Sequence, residues 1–161
     1  MATSRTEADA CTFLDVDHKA VKKMFKAYEE LTHSRARDTA QKKLELAREI
    51  CQALTVHAAI EEEIFYPALQ QVMKEKDLLA EAQVEHAGAK DLIAQIEASD
   101  EIDDMFDAKV TVLGEYVDHH VKEERNEIFP KARAARGLDL VGMREELQAR
   151  KEALMGMEEQ A

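Results

Sequence analysis

Cysteine, proline and glycine are scarce in this 161-residue chain, and positive charge falls well short of negative. Two cysteines, Cys11 and Cys51, make neither a disulfide framework nor a thiolate metal site, so a reduced, cytoplasmic setting is expected. Five glycines and two prolines supply too few turns for a many-stranded sandwich or barrel. The longest apolar run is Ile64–Leu69, far short of a membrane span. The opening stretch MATSRTEADACTFLDVDH lacks the apolar centre of an export signal. With 22 Lys and Arg against 34 Asp and Glu, the net charge of −12 repels polyanions. Nucleic acid and anionic membrane surfaces are therefore poor partners, and the acidity is read as solubility.

What the chain has in quantity is helix-forming sequence: 45% hydrophobic and 35% charged residues, dominated by Ala, Glu, Lys and Leu. Apolar residues recur at helical spacing, which predicts helices at about 12–32, 38–66, 76–97 and 104–130, then a shorter one at about 138–155. Thr32–Asp38 and Ala98–Asp100 are polar, capping-type breaks, and Gly137 reads as a helix stop. Pro67 and Pro130 fall near the ends of the second and fourth helices, where proline should kink or stop them. Short connections between long helices favour an all-α, up-down-up-down four-helix bundle with an additional short C-terminal helix. One domain over 1–161 is expected, with the bundle at about 12–133.

An internal repeat carries the functional signal. The second helix holds His57-x3-Glu61 and then Pro67; the fourth holds His120-x3-Glu124 and then Pro130, each with an aromatic just before the proline (Tyr66, Phe129). The first helix offers Val16-Asp17-His18 with Lys22 four residues on, and the third offers Val84-Glu85-His86 with Lys90 four residues on. Each half therefore contributes one lone histidine and one H-x3-E, related by a pseudo-two-fold axis.

Residues four apart share a helix face, so His57 lies with Glu61 and His120 with Glu124. Those faces are apolar otherwise: His18 aligns with Leu14, Val21 and Phe25, and His57 with Ile50, Leu54 and Phe65. His86 aligns with Leu79, Ile93 and Ile96, and His120 with Leu113, Val117 and Ile128. Burying six such groups unpaired costs roughly 1–3 kcal/mol each, more if charged. A pair of divalent cations would offset that cost. Imidazole and carboxylate without thiolate suit iron or manganese, with zinc and copper as competitors. A lone core histidine is ordinarily a hydrogen-bonded structural group; four of six histidines in a two-fold pattern with two glutamates point to a site. His119 could pair with Glu123, but its eleven-residue distance to Pro130 breaks the ten-residue spacing that His57 and His120 share. His33, Glu62, Glu63, Glu123 and Glu127 are read as solvated or outer groups, and Tyr28 and Tyr116 as core packing.

Taken in order, His18, His57-x3-Glu61, His86 and His120-x3-Glu124 resemble the hemerythrin-like, or HHE cation-binding, domain over about Thr12–Arg133. The resemblance implies four terminal histidine ligands to two non-haem iron ions, with Glu61 and Glu124 bridging them together with a solvent-derived oxygen. The chain departs from the oxygen-carrying hemerythrins at Lys90, where they have a fifth histidine, and at Glu124, where they place an aspartate one residue later. It is closer to the broader bacterial group and to iron-centre-repair proteins, though without the cysteine-bearing N-terminal segment of the latter.

The expected function is thus iron binding and the handling of oxygen, nitric oxide or peroxide, as carrier, sensor or scavenger. Alternatives are a di-iron enzyme turning over hydrogen peroxide or nitric oxide, an iron-donating repair protein, or a plain bundle acting through its surface. Lys22 and Lys90 are read as a matched pair that carry their charge away from the core along their stems. The chain is expected to be a monomer or homodimer.

Overall fold

The structure is a computed structural model that describes residues 8–160, with the side chains of 157–160 left out. Residues 1–7, part of the stretch read above for an export signal, lie outside the described residues. Helix α1 spans Ala10–Thr32. Helix α2 runs Thr39–Ile60, passes through a π turn at Glu61–Phe65 and resumes as Tyr66–Val72. Helix α3 spans Lys76–Ala98. Helix α4 runs Asp104–Glu123, passes through a second π turn at Glu124–Ile128 and ends as Phe129–Ala134. Helix α5 spans Leu140–Gln160. No strand is present among the described residues, and no helix there is long and apolar enough to cross a membrane.

Caps set several boundaries. Asp9 accepts from the Thr12 amide at 3.0 Å and starts α1, and Asp103 accepts from the Phe106 amide at 2.9 Å and starts α4. The Asp139 carboxylate accepts from the Gly142 amide at 2.9 Å at the head of α5. Gly137 before it has φ 81, a left-handed conformation that glycine adopts without a Cβ penalty.

The prolines do not stop their helices. Each follows a π turn whose closing bonds run from the Tyr66 amide to the Glu61 carbonyl and from the Phe129 amide to the Glu124 carbonyl. The extra residue in the turn widens the backbone where a proline ring would otherwise strike the preceding carbonyl. α2 and α4 therefore run further than their prolines implied. Helix α5 likewise runs further than the sequence pattern predicted, continuing through Gly156 to Gln160.

Packing follows the ring α1–α2–α3–α4–α1, the arrangement of an up-down-up-down bundle, while α5 lies across α1, α2 and the first π turn. Two apolar clusters fill the bundle. One contains Leu14, Ile60, Phe65, Leu69, Leu79 and Ile128, and is covered by Met143 and Leu147 of α5. The other contains Tyr28, Ile50, Ile93, Phe106 and Leu113. Between them lies a polar layer of His18, His57, Glu61, His86, His120 and Glu124, all buried. Such a layer interrupts an otherwise close-packed apolar interior, where each of its members needs a partner.

Candidate metal centre

Each of the four histidines turns Nδ1 outward and Nε2 inward. The Nδ1 atoms of His18, His57, His86 and His120 lie 3.2, 3.1, 3.1 and 3.1 Å from carboxylate oxygens of Asp15, Asp17, Glu62 and Glu85 respectively. A carboxylate at Nδ1 fixes the Nδ1–H tautomer, because it can only accept. The inward Nε2 atoms then carry lone pairs.

What those lone pairs meet is more lone pairs. The Nε2 atoms of His18 and His57 are 3.2 Å apart, as are those of His86 and His120. Glu61 Oε1 lies 3.2 Å from the Nε2 of both His57 and His86. Glu124 Oε1 lies 3.1 Å from the Nε2 of both His18 and His120. With neutral rings neither Oε1 has a donor, and both are orphaned in the interior. Each glutamate thus stands between histidines of both pairs. A cluster made almost wholly of inward acceptors calls for cations or protons.

In the metal-free chain protons take that role. Burial opposes charging of His57, but the charge of Glu61 and bonds to Asp17 and Glu61 outweigh it and push the ring up to about 10. Burial likewise opposes charging of His120, and bonds to Glu124 and Glu61 push it up to about 12. Glu61 is held well below the usual carboxylate range despite its burial, chiefly by the charge of His57. Divalent cations would supply the same compensation, and the ligand atoms are grouped for it. One atom each of His18, His57, Glu61 and Glu124 fall within 4.8 Å of one another, and so do one each of Glu61, His86 and His120. The residues present fit metal ions.

A seventh polar group stands in the layer. The buried Tyr66 hydroxyl lies 3.0 Å from His120 Nε2 and 3.3 Å from an Oε2 of both Glu61 and Glu124. Burial and the two glutamates hold its proton on, well above the ordinary phenol range. Its counterpart in the repeat, Phe129, has no hydroxyl and stacks near His18 with ring centres 6.0 Å apart. Against the polar layer lies a cavity of about 60 Å³. Besides the histidines and Glu61, its wall includes Val21, Leu54, Ala58, Ile93 and Val117.

All six sequence-selected residues are therefore brought together. His33 and His119 are exposed, as expected of them, and His119 sits with Glu85 and Glu123 in a third, outward-facing group. Two sequence readings need correction. Tyr116 is 44% exposed at the cavity mouth and is not core packing, although Tyr28 is buried and donates to Asp107 at 2.8 Å. Lys22 and Lys90 do not act as a matched pair. Lys90 binds Glu62 at 2.5 Å, whereas Lys22 is exposed and the matching contact to Asp15 comes from Arg125. Sequence reasoning did not single out the carboxylates of Asp15, Asp17 and Glu85 or the Tyr66 hydroxyl; the acid just before each lone histidine signalled Asp17 and Glu85, the i,i+3 spacing to His18 signalled Asp15, and the aromatic before Pro67 signalled Tyr66.

The family described as "Hemerythrin HHE cation binding domain" matches residues 9–132. No curated protein matches the chain. A crystal structure of a hemerythrin HHE cation binding domain-containing protein from Mycobacterium kansasii is similar, with a TM-score of 0.74 and 20% identity. The match covers 92% of this chain and 88% of that one, and at such identity it speaks for the fold alone. Six buried histidine and glutamate side chains in two facing groups, within a matched stretch that takes in every one of them, place this chain in the hemerythrin HHE cation-binding domain family.

Proposed function

We propose that the chain is a non-haem di-iron protein that handles a small oxidant such as oxygen, nitric oxide or peroxide, the whole sequence acting as one domain. His18 and His57 would hold one ion and His86 and His120 the other, with Glu61 and Glu124 shared between them. The observation that carries this reading is the pair of orphaned carboxylate oxygens, each facing histidines of both pairs. When bound, such ions supply redox change and open positions for a small ligand. The cavity beside them, about 60 Å³, has room for a diatomic or a few waters.

The chain's own groups divide the remaining work. Asp15, Asp17, Glu62 and Glu85 fix ring tautomers, and the aliphatic wall limits water. Tyr66 holds a proton within reach of the layer, which favours turnover over simple carriage: disproportionation of two hydrogen peroxide molecules to oxygen and two waters needs proton movement and no outside reductant. The test is metal analysis and absorption spectroscopy on protein reconstituted with Fe(II) without oxygen and then exposed to oxygen or peroxide. Two irons per chain and an oxidant-dependent visible band are expected. One ion or none after reconstitution would overturn the reading, and repeated peroxide turnover would separate an enzyme from a carrier.

A further inference from the structure

The four carboxylates that orient the histidines are themselves held from outside, and not equally. Arg125 donates to Asp15 at 2.5 Å, Lys90 to Glu62 at 2.5 Å, and His119 approaches Glu85 at 3.4 Å. Those three belong to the four bundle helices, inside the stretch that matches the family. The fourth holder does not. Lys151, on α5, donates to Asp17 Oδ1 at 2.5 Å, and the other oxygen of Asp17 faces His57 Nδ1 at 3.1 Å.

The residue before it grips a second part of the same neighbourhood. Arg150 donates through Nε to Glu63 at 2.7 Å and through Nη2 at 3.3 Å. Glu63 lies in the first π turn, two residues after Glu61. Consecutive residues of α5 thus fix the orienting carboxylate of His57 and the backbone turn that begins at Glu61. Helix α5 packs on α1, α2 and this turn. The equivalent second turn, Glu124–Ile128, receives no such grip from Arg150 or Lys151.

We propose that Lys151 is a positioning residue for one metal position, that of His18 and His57, so that α5 makes this ion the slower of the two to leave. The inference rests on the di-iron reading above. An imidazole swings freely about its bonds unless its outer nitrogen is tied, and a tie is only as rigid as the carboxylate that makes it. Asp17 is tied by the Lys151 ammonium, whose Nζ lies over the Phe13 ring 5.7 Å from its centre. Loss of a group bonded directly to a ligand histidine typically costs 10–100-fold in metal affinity, so a group one bond further out should move release by about 3–10-fold.

The experiment uses the full chain loaded with Fe(II) without oxygen, with release followed in excess ferrozine. Lys151→Met should accelerate release of one iron by about 3–10-fold and leave the other within about two-fold. Lys151→Arg should restore the wild-type rate. Lys90→Met should accelerate the other iron, since Lys90 ties Glu62 and so His86. In metal-free protein the ring Nδ1–H signal of His57 in nitrogen-15 spectra should broaden or shift in Lys151→Met while that of His86 stays put. Equal acceleration of both irons, or no change in either, would overturn the proposal, as would an unmoved His57 ring signal. Wild-type protein that takes up no iron pair would sink the di-iron reading instead, and the metal-free ring signal would still decide the role of Lys151.

Discussion

Replacing Glu61 by glutamine keeps its shape and removes its charge at a position that is fully buried. On the di-iron reading Glu61 is shared by both ions, so the variant should lose the stabilisation that metal confers. The size of that stabilisation follows from binding linkage: about 3–4 kcal/mol when free metal exceeds its dissociation constant by two to three orders of magnitude. For a domain of this size 1 kcal/mol moves Tm by about 2–4 °C, so metal should raise wild-type Tm by on the order of 10 °C. Differential scanning calorimetry with Fe(II) or with EDTA, without oxygen, would measure it. In Glu61→Gln the difference between the two scans should shrink to about a third or less on the same linkage. Glu124→Gln should match it, since the two carboxylates occupy equivalent places. Glu45→Gln, exposed beside Gln41 on the outer face of α2, should retain the full shift. A full metal-induced shift in Glu61→Gln, or its loss in Glu45→Gln, would refute the assignment.

Three further outcomes are expected. In metal-free protein His57 is pushed up to about 10, above its unfolded value near 6.5, so its stabilising contribution is complete below pH 6.5 and is lost as pH rises through 10. Metal-loaded protein should not show that loss, so the two Tm curves should separate across this window; a metal-free Tm that climbs through it would contradict the sign. Tyr66→Phe removes a buried hydroxyl that meets His120, Glu61 and Glu124, and should lower metal-free Tm by about 2–4 °C while leaving iron content unchanged and slowing peroxide turnover. Lys90→His should slow peroxide turnover and make oxygen uptake more reversible in stopped-flow measurements; kinetics identical to wild type would leave Lys90 as the partner of Glu62 alone.

The bundle and its six inward groups were legible because both rest on a simple period. Apolar residues at helical spacing gave the faces, and the H-x3-E pairs had to lie on them. The ten-residue distance to proline correctly put His120 inward and His119 outward. Asp15 lies three residues from His18 on the same helix, but Asp17 and Glu85 were illegible for a geometric reason. Asp17 and His18 are adjacent, so their side chains leave the helix about 100° apart, and Asp17 cannot serve its neighbour. It serves His57 on the next helix, just as Glu85 serves His120, and only the packing of helix on helix decides that. Tyr66 was hidden by the π turn. A period of 3.6 does not align residue 66 with residue 61, whereas the bond from the Tyr66 amide to the Glu61 carbonyl places one above the other.

The same two π turns show where the repeat holds and where it fails. Both begin at a shared glutamate and end before a proline, so the backbone device is duplicated with its carboxylate. The residue after each glutamate is not. Glu62 follows Glu61 and is held by Lys90, while Arg125 follows Glu124 and itself holds Asp15. The charge on the turn is reversed between the halves, and the partner charge is reversed with it, so each lone histidine still meets a carboxylate at Nδ1. Tyrosine against phenylalanine, at residues 66 and 129, is a difference with no such compensation: one half offers a proton and the other a hydrocarbon face. On the di-iron reading, equal ligands in unequal surroundings would suit chemistry in which the two ions do different things, because a proton source beside His120 and not beside His18 or His57 would give the reaction a direction across the pair. A pure carrier would gain nothing from that asymmetry, and Tyr66→Phe is where the two roles part.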